Sequence, residues 1–438
     1  MNSVPCVPSS DHRLPISDFR PLTSGLQPPT SDLRPPTSVL RPPTSDLRSL
    51  ISALCLLLFL SGCSLFKPAQ PLPMIRLDPS DYPVFQDDLN GDGLNAGIEN
   101  SLTYLKKRSP DQTLVFGSDT YSISHVIQSL EVFRDFMATR PSSKAIAEFI
   151  HSRYRVYRST GRETDGRVLF TGYYEPFLNG SLNSSARYTC PLYEIPDDLV
   201  TVNLGLFSDK YKGEKITGRL SGKTVVPYWE RKDIEKSGVM SGKARVLAWV
   251  DDPVDLFFLQ IQGSGKIRLD TGQIMNVHYH GSNGRPYRSI GNLLIEKGLI
   301  QKQDMSMQRI REYLKAHPDQ IDDILNYNPS YVFFKTEPDG PIGSIGVPLT
   351  PGRSVAVDRR IFPPTSLVFI QTQKPLVDSN NRITSWDHFS RFALNQDTGG
   401  AIVGPGRTDI FWGNGPYAEV AAGHLQHTGN LYFLVLKP

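Results

Sequence analysis

Hydrophobic residues change their spacing near Val168, and that switch limits what the chain can fold into. Before it, three stretches place apolar residues every three or four positions, the period of a helix with one buried face. They are 94–106 (Ile98, Leu102, Leu105), 122–139 (Val126, Ile127, Leu130, Phe133, Met137) and 143–155 (Ile146, Phe149, Ile150, Tyr154). Pro141 ends the second, and Ser142 or Ser143 supplies an N-cap for the third. From Val168 the period is two, with Gly-rich turns between short runs at 168–174, 224–228, 244–250, 256–262 and 266–269. Helices return at 289–297 and 305–316. A last β-rich stretch, 354–436, holds one helix near 418–425 that ends at His427-Thr428-Gly429. The expected class is α+β, mainly β, with barrel-like sheets and helices toward the N-terminal side.

The first 62 residues obey different rules. Residues 17–50 repeat every seven positions (SDFRPLT, SGLQPPT, SDLRPPT, SVLRPPT, SDLRSL), a period that would suggest a coiled coil. The prolines forbid that helix, so the tract is polyproline-prone. It reads either as a proline-rich ligand or as a translated repeat upstream of a later start. Arg48 then precedes an apolar run, LISALCLLLFL at 50–60, too short for the roughly 20 residues that cross a bilayer. A positive residue, a short apolar core and small residues behind it make a secretory signal. The ending Leu60-Ser61-Gly62-Cys63 resembles the lipobox of bacterial lipoproteins, which implies cleavage before Cys63 and lipidation there. Ser64 stands where an Asp would mark inner-membrane retention, so the expected location is the outer membrane, facing the periplasm of a Gram-negative envelope. Cys6 and Cys55 leave with the prefix, and Cys190 remains as a lone thiol, unable to build a disulfide or a multi-Cys metal site. A net charge of +3, from 47 Lys+Arg and 44 Asp+Glu, argues against a nucleic-acid partner.

Three aspartates concentrate the chemistry near the C-terminus. Asp358 ends the strand-like Val355-Ala356-Val357-Asp358, Asp397 sits in Gln396-Asp397-Thr398-Gly399-Gly400, and Asp409 in Arg407-Thr408-Asp409-Ile410-Phe411. Desolvation and a neighbouring carboxylate both raise a carboxyl pKa, and together they would keep one Asp protonated as a general acid. Gly399-Gly400 permits a tight turn and a close ligand. Each aspartate alone would serve equally well as a turn cap. Other patterns compete. Asp88 to Glu99 fits the EF-hand loop in full, but Pro79 and Pro83 stand where the entering helix belongs, and Asn95 takes an apolar position. The Asp-Thr-Gly triplets at 270–272 and 397–399 suggest an aspartic protease, yet Gln273 and Gly400 follow where Ser or Thr is wanted. His278-x-His280 and His424-x-x-His427 have ligand spacing without a completing carboxylate or Cys. No metal and no cofactor is expected.

The segments VAVD (355–358), QDTGGAIVGPG (396–406) and RTDIFWG (407–413) resemble the three-aspartate barrel domain of the membrane-bound lytic murein transglycosylase A family. LFTGYYEP (169–176), FLQIQGSG (258–265), NGRPYRSIG (283–291), DMSMQ (304–308) and NPSYVFF (328–334) follow the family's order. The resemblance covers residues 74–438. It implies a double-psi β-barrel built from both ends of the mature chain, with a second, barrel-like β domain inserted. The implied divisions are prefix and signal (1–62), anchor and linker (63–93), helices and first barrel part (94–174), insert (175–340), and remaining barrel (341–438). It also implies cleavage of the MurNAc–GlcNAc β-1,4 bond of peptidoglycan with formation of 1,6-anhydroMurNAc. By the same resemblance Asp409 is the acid and then the base, Asp397 its buried neighbour, and Asp358 a structural support. Tyr173, Tyr174, Gln262, Gly263, Ser264, Tyr287, Arg288, Gly399 and Gly400 are the expected glycan contacts, and Arg288 or Lys335 would meet substrate carboxylates. The expected partners are glycan strands, the membrane through Cys63, and other cell-wall enzymes. The alternatives are a non-catalytic peptidoglycan-binding lipoprotein and the aspartic protease. Mass spectrometry of membrane-extracted protein should find a chain starting at lipid-modified Cys63, and an unmodified Met1 would contradict the lipobox reading.

Overall fold

The computed structural model describes residues 71–438 except 163, 164 and 339, so the proline-rich repeat, the apolar run and Cys63 lie outside the described residues. Short strand β1 (Met74–Arg76) precedes helix α1 (Leu94–Leu105), hairpin β2 (Thr113–Phe116) and β3 (Asp119–Ser122), then α2 (Ile123–Ala138) and α3 (Ser143–Arg153). The helices form where apolar spacing and caps coincide. The Ser122 hydroxyl accepts the His125 N–H at 3.2 Å and the Ser142 hydroxyl accepts the Ala145 N–H at 3.3 Å, each opening a helix. Ile98, Leu102 and Leu105 of α1 and Val126, Leu130 and Phe133 of α2 are buried in one core with the sheet beneath.

That sheet begins with β4 (Tyr154–Ser159) and β5 (Val168–Tyr173), is interrupted, and resumes with β15 (Ser354–Ala356), β16 (Leu367–Val377), β17 (Ile383–Asp397), β18 (Arg407–Phe411) and β19 (His427–Leu436). Strands β5, β18, β15, β17, β16 and β19 pair in that order, and β19 returns to β5, closing a six-stranded barrel. Two pairs, β5 with β18 and β15 with β17, are parallel, and the others are antiparallel. A closed ring leaves no barrel edge to cap. Helix α9 (Pro416–His424) lies over β5, where Gly172 is required because a Cβ there would stand 2.6 Å from the Trp412 indole nitrogen and 2.9 Å from Ala422.

The interruption is a second β-rich body. Its strands are β6 (Phe177–Ser181), β7 (Cys190–Tyr193), β8 (Val200–Asn203), β9 (Lys215–Ser221), β10 (Thr224–Pro227), β11 (Val246–Val250), β12 (Ser264–Leu269), β13 (Ile274–Ser282) and β14 (Val332–Thr336). Strands β14, β13, β12, β6, β11 and β7 form one sheet around a core of its own, including Leu178, Leu192, Val250, Ile267, Val277 and Phe334. The remaining three form a separate antiparallel sheet. Helices α4 (Arg231–Lys236), α5 (Pro253–Gln262), α6 (Ile290–Glu296), α7 (Met307–Ala316) and α8 (Ile321–Asn326) complete the insert. The half-buried thiol of Cys190 sits on β7, where burial pushes its pKa up.

One expected strand is corrected. Residues 256–262 are the second half of α5, not a strand. The Asp252 carboxylate accepts the N–H groups of Val254 and Asp255 at 2.7 and 3.2 Å, Pro253 fills the first turn, and Gly263 closes the helix at φ 80°. Leu256, Phe257, Phe258 and Leu259 are buried in succession, more than a full turn of the helix, so this run shows no alternation of buried and exposed faces to set it apart from a buried strand.

The segment ahead of α1 is held to the barrel by buried charge. Arg353 and Asp87 form a bidentate pair at 2.6 and 2.9 Å, with side chains 0% and 2% exposed. The remaining guanidinium bonds go to the carbonyls of Asp92 and Phe392. Breaking a buried pair by removing one partner costs about 3–5 kcal/mol, because the other charge is left buried alone. Arg353→Met is therefore expected to lower the unfolding free energy from urea titration by that amount, as a lower midpoint at an unchanged slope, and Arg353→Met with Asp87→Leu to lose less. Equal losses in single and double variants would contradict this.

Candidate active site

Register places the aspartates in one row. Asp409 pairs across the sheet with Thr171 of β5 on one side and Ala356 of β15 on the other, and Ala356 pairs with Asp397 of β17. Directly paired residues point to the same face, and neighbouring strands lie about 4.8 Å apart, so the Asp409 and Asp397 backbones are about 10 Å apart. Asp358 lies two residues beyond Ala356, where β15 has ended. Alternation along β18 buries Thr408 and Ile410 and turns Arg407 and Asp409 outward together.

The three carboxylates are held differently. Asp358 receives a bidentate Arg360 at 2.8 and 2.6 Å and the Gly404 N–H at 2.8 Å. The Arg360 bond is the main reason its pKa falls to about 2, with burial opposing it. Asp397 accepts the Ser344 and Thr398 N–H groups at 2.9 and 2.8 Å on Oδ1 and the Tyr173 hydroxyl at 2.9 Å on Oδ2. Burial nevertheless pushes its carboxyl above the ordinary 3.8. Burial and then the charge of Asp397 push the Tyr173 hydroxyl well above the tyrosine range, so it stays a donor. Asp409 is bonded through Oδ1 alone, to the Thr171 hydroxyl and to Arg407 Nε at 3.3 Å. Its Oδ2 has no hydrogen bond to another described residue, and the side chain is 16% exposed. Arg407 also reaches the Ala401 carbonyl at 3.1 Å and the Thr171 hydroxyl oxygen at 3.4 Å.

This arrangement has relatives. The MltA specific insert domain matches residues 169–335, and the 3D domain matches 353–435. The chain is 33% identical over 359 residues to membrane-bound lytic murein transglycosylase A of Escherichia coli (strain K12), covering 81% of this chain and 86% of that protein. The chain belongs to the membrane-bound lytic murein transglycosylase A family. The structure also resembles a membrane-bound lytic murein transglycosylase from Agrobacterium tumefaciens, with TM-score 0.68 and 29% identity over 83% of this chain and 98% of that one. E. coli MltA with bound chitohexaose matches with TM-score 0.63 and 27% identity over 84% of this chain and 96% of that one.

The family motifs of the insert mostly hold loops in place. Asn283 is fully buried, donating to the Trp229 and Pro329 carbonyls at 2.9 and 2.8 Å and accepting the Tyr331 N–H at 2.9 Å. Asn328 accepts the Arg288 N–H at 3.1 Å. Together they fix the loop that carries Tyr287, which is 46% exposed and whose hydroxyl feels the charge of Arg407 on the barrel.

The expected contacts divide accordingly. Tyr173 reaches the aspartate row, and Tyr287 stands exposed near it. Tyr174 is only 3% exposed, and its N–H donates to Gln262 Oε1 at 3.0 Å, a bond that joins the end of α5 to the end of β5. Ser264 is buried at the start of β12, opposite His278. Gly263 serves the α5 cap. The Arg288 guanidinium sits 5.9 Å from the Tyr327 ring, and Lys335 pairs with Glu337. Gly399 and Gly400 form the turn after Asp397, with open space around the Cα of Gly400. Asp88 is engaged by Arg391 at 2.8 Å and Lys374 at 2.7 Å, and Glu99 by Arg134 at 2.7 Å, so the EF-hand pattern does not converge on a site. Asp270 precedes the β12–β13 turn, closed by the Gly272 N–H on the Leu269 carbonyl.

Thr171, Arg407 and Ser344 were not legible as partners. Thr171 and Tyr173 share one face of β5, and Arg407 and Asp409 one face of β18, so alternation flanking each named residue was the available signal.

The two supporting aspartates should respond oppositely to pH. The low pKa of Asp358 contributes stability above about pH 4 that is lost as pH falls toward 2, whereas the raised pKa of Asp397 costs stability as pH rises through the carboxylate range. Asp358→Asn should cost about 1–3 kcal/mol at neutral pH, with the deficit shrinking in acid. Asp397→Asn should be no less stable than the parent at neutral pH, with any advantage shrinking in acid. Thermal unfolding between pH 3 and 7 measures both, and a shared sign would contradict the assignment.

Proposed function

We propose that this chain is a lytic transglycosylase that cleaves the β-1,4 bond between N-acetylmuramic acid and N-acetylglucosamine in peptidoglycan, with Asp409 as its single acid and base. The observation that carries the reading is the difference in hydrogen bonding along the row. Asp397 has both oxygens taken by three donors, whereas Asp409 keeps Oδ2 unbonded at a solvent-reaching position. One carboxyl is available for chemistry, not two.

A single available carboxyl does not suit the usual glycosidase scheme, in which a second carboxylate acts as nucleophile or activates water. It suits an internal displacement. Protonated Oδ2 of Asp409 gives its proton to the glycosidic oxygen as the C1–O bond breaks, leaving oxocarbenium character on the muramyl ring. The resulting carboxylate takes the proton from that sugar's own 6-hydroxyl, whose oxygen closes on C1. The product is 1,6-anhydromuramic acid, and no water is consumed. The nucleophile needs no second catalytic group because the ring itself delivers it. Thr171 and Arg407 hold Oδ1, which aims Oδ2, and Arg407 offsets the negative charge once the proton has left. General acid catalysis supplies about 100- to 10,000-fold; binding and ring distortion supply the rest.

Glycan binding between the barrel and the insert (175–340) is supported by the exposed Tyr287 on the insert and by the chitohexaose complex of E. coli MltA. The membrane-bound relatives and the 48–63 sequence support a lipid anchor at Cys63 in the outer membrane, with 63–93 as the tether to a periplasmic enzyme. Asp409→Asn is expected to lower release of anhydromuropeptides from purified sacculi by about 100-fold or more, with thermal unfolding unchanged. Full release by that variant would remove Asp409 from the role.

A further inference from the structure

A cavity of about 200 Å³ opens beside Asp397, walled by Tyr104, Ser344, Ile345, Arg359, Pro364 and Asn395. Its size falls below the roughly 300–1,000 Å³ of pockets that enclose a whole ligand, so it suits a substituent and not a sugar ring. Ile345 and Pro364 offer apolar walls. Asn395 donates to the Pro363 carbonyl at 2.8 Å, while its side-chain oxygen makes no hydrogen bond to a described residue and is left as an acceptor.

Arg359 is the one cation in the lining, and it has no ion pair or hydrogen bond with a described residue. Arg360 and Arg407, the cations bonded to the other two aspartates, are engaged by Asp358 and Asp409, and, further away, Lys335 by Glu337. The Arg359 backbone is fixed, because the Asp358 carbonyl accepts the N–H groups of Ile361 and Phe362 at 3.2 and 3.0 Å, and Asp358 holds Arg360. Asp397 faces the same cavity with its oxygens already satisfied, so it does not compete for the guanidinium.

Resting on the reading of Asp409 given above, we infer that this cavity takes the acidic substituent on the 3-oxygen of the muramyl ring, with Arg359 pairing with its carboxylate. Methyl groups would lie on Ile345 and Pro364, and an amide N–H would meet Asn395. Such a contact discriminates muramyl glycan from N-acetylglucosamine polymers, which carry no carboxylate. The carboxylate has two sources, the lactyl group of a peptide-free glycan or an acidic residue of the stem peptide.

The test is titration calorimetry on the full chain carrying Asp409→Asn, so that no ligand is consumed, with and without Arg359→Gln. The ligands are chitohexaose, a peptide-free muramyl oligomer and a peptide-bearing one. Arg359→Gln is expected to weaken muramyl binding about tenfold or more and leave chitohexaose unchanged, with Arg359→Lys recovering part of the loss. Loss on the peptide-free oligomer assigns the lactyl carboxylate, and loss confined to the peptide-bearing oligomer assigns the stem. No loss, or equal loss on all three ligands, overturns the inference. Release of anhydro products by the unaltered chain is followed in parallel. Its absence would overturn the functional reading, and its presence with an indifferent Arg359→Gln overturns this inference alone.

Discussion

The guanidinium of Arg353 has no water to fall back on, so its donors must find partners in the protein, and the partners it finds assemble the barrel. Asp87 and the Asp92 carbonyl belong to the segment ahead of α1, and the Phe392 carbonyl belongs to β17. The Arg353 carbonyl in turn accepts the Leu394 N–H at 2.7 Å. The residue therefore ties three separate stretches of chain at the start of β15. That strand is only three residues long, yet it carries the register between Asp409 and Asp397. A shift of one residue there would turn every side chain of the strand to the other face. Asp88, held by Arg391 and Lys374, repeats the tie one residue along. A buried pair of this kind contributes little net stability compared with apolar packing, but it fixes which chain segments meet.

On that frame, one residue type does three jobs. Asp358 is surrounded by donors and drawn to its charged form, so it fastens the loop at Gly404 to the end of β15. Asp397 is saturated by two backbone N–H groups and a tyrosine, and burial still disfavours its charge. Asp409 is anchored on one oxygen and open on the other. Environment, not sequence, separates these roles, the same logic by which paired carboxylates acquire different tasks in other active sites.

Much of this could be read from residues alone, and the failures are informative. The N-terminal helices were legible because the apolar period agreed with Pro141 and with Ser142 or Ser143 as a cap, and the structure adds the Ser122 cap. The aspartates stood out beside apolar or β-branched neighbours, but only the resemblance of their segments to the family's barrel domain set them apart from turn caps. Residues 256–262 misled because a run of consecutive buried residues reads equally as strand or helix, although Asp252-Pro253 and Gly263 marked both ends. Tyr174 and Ser264 stood out as polar residues in motif positions, but the structure buries both, Tyr174 where its N–H bonds Gln262 at the end of α5 and Ser264 opposite His278 in the insert sheet. Arg407, two residues from Asp409 on the same face of β18, was open to strand alternation, but Thr171 and Ser344 were missed for a deeper reason. Their partnerships arise from strand register across more than 230 residues for Thr171, and from a backbone N–H for Ser344. Sequence spacing carries no record of either.

In the proposed mechanism one carboxyl suffices because the substrate supplies its own nucleophile. Digestion of purified sacculi in water enriched in heavy oxygen, followed by mass spectrometry of the released muropeptides, tests it directly. The account predicts muramyl ends lighter by one water than hydrolysis products, with no heavy oxygen incorporated. Reducing ends carrying the label would show that water attacks C1 and would contradict the single-carboxyl mechanism.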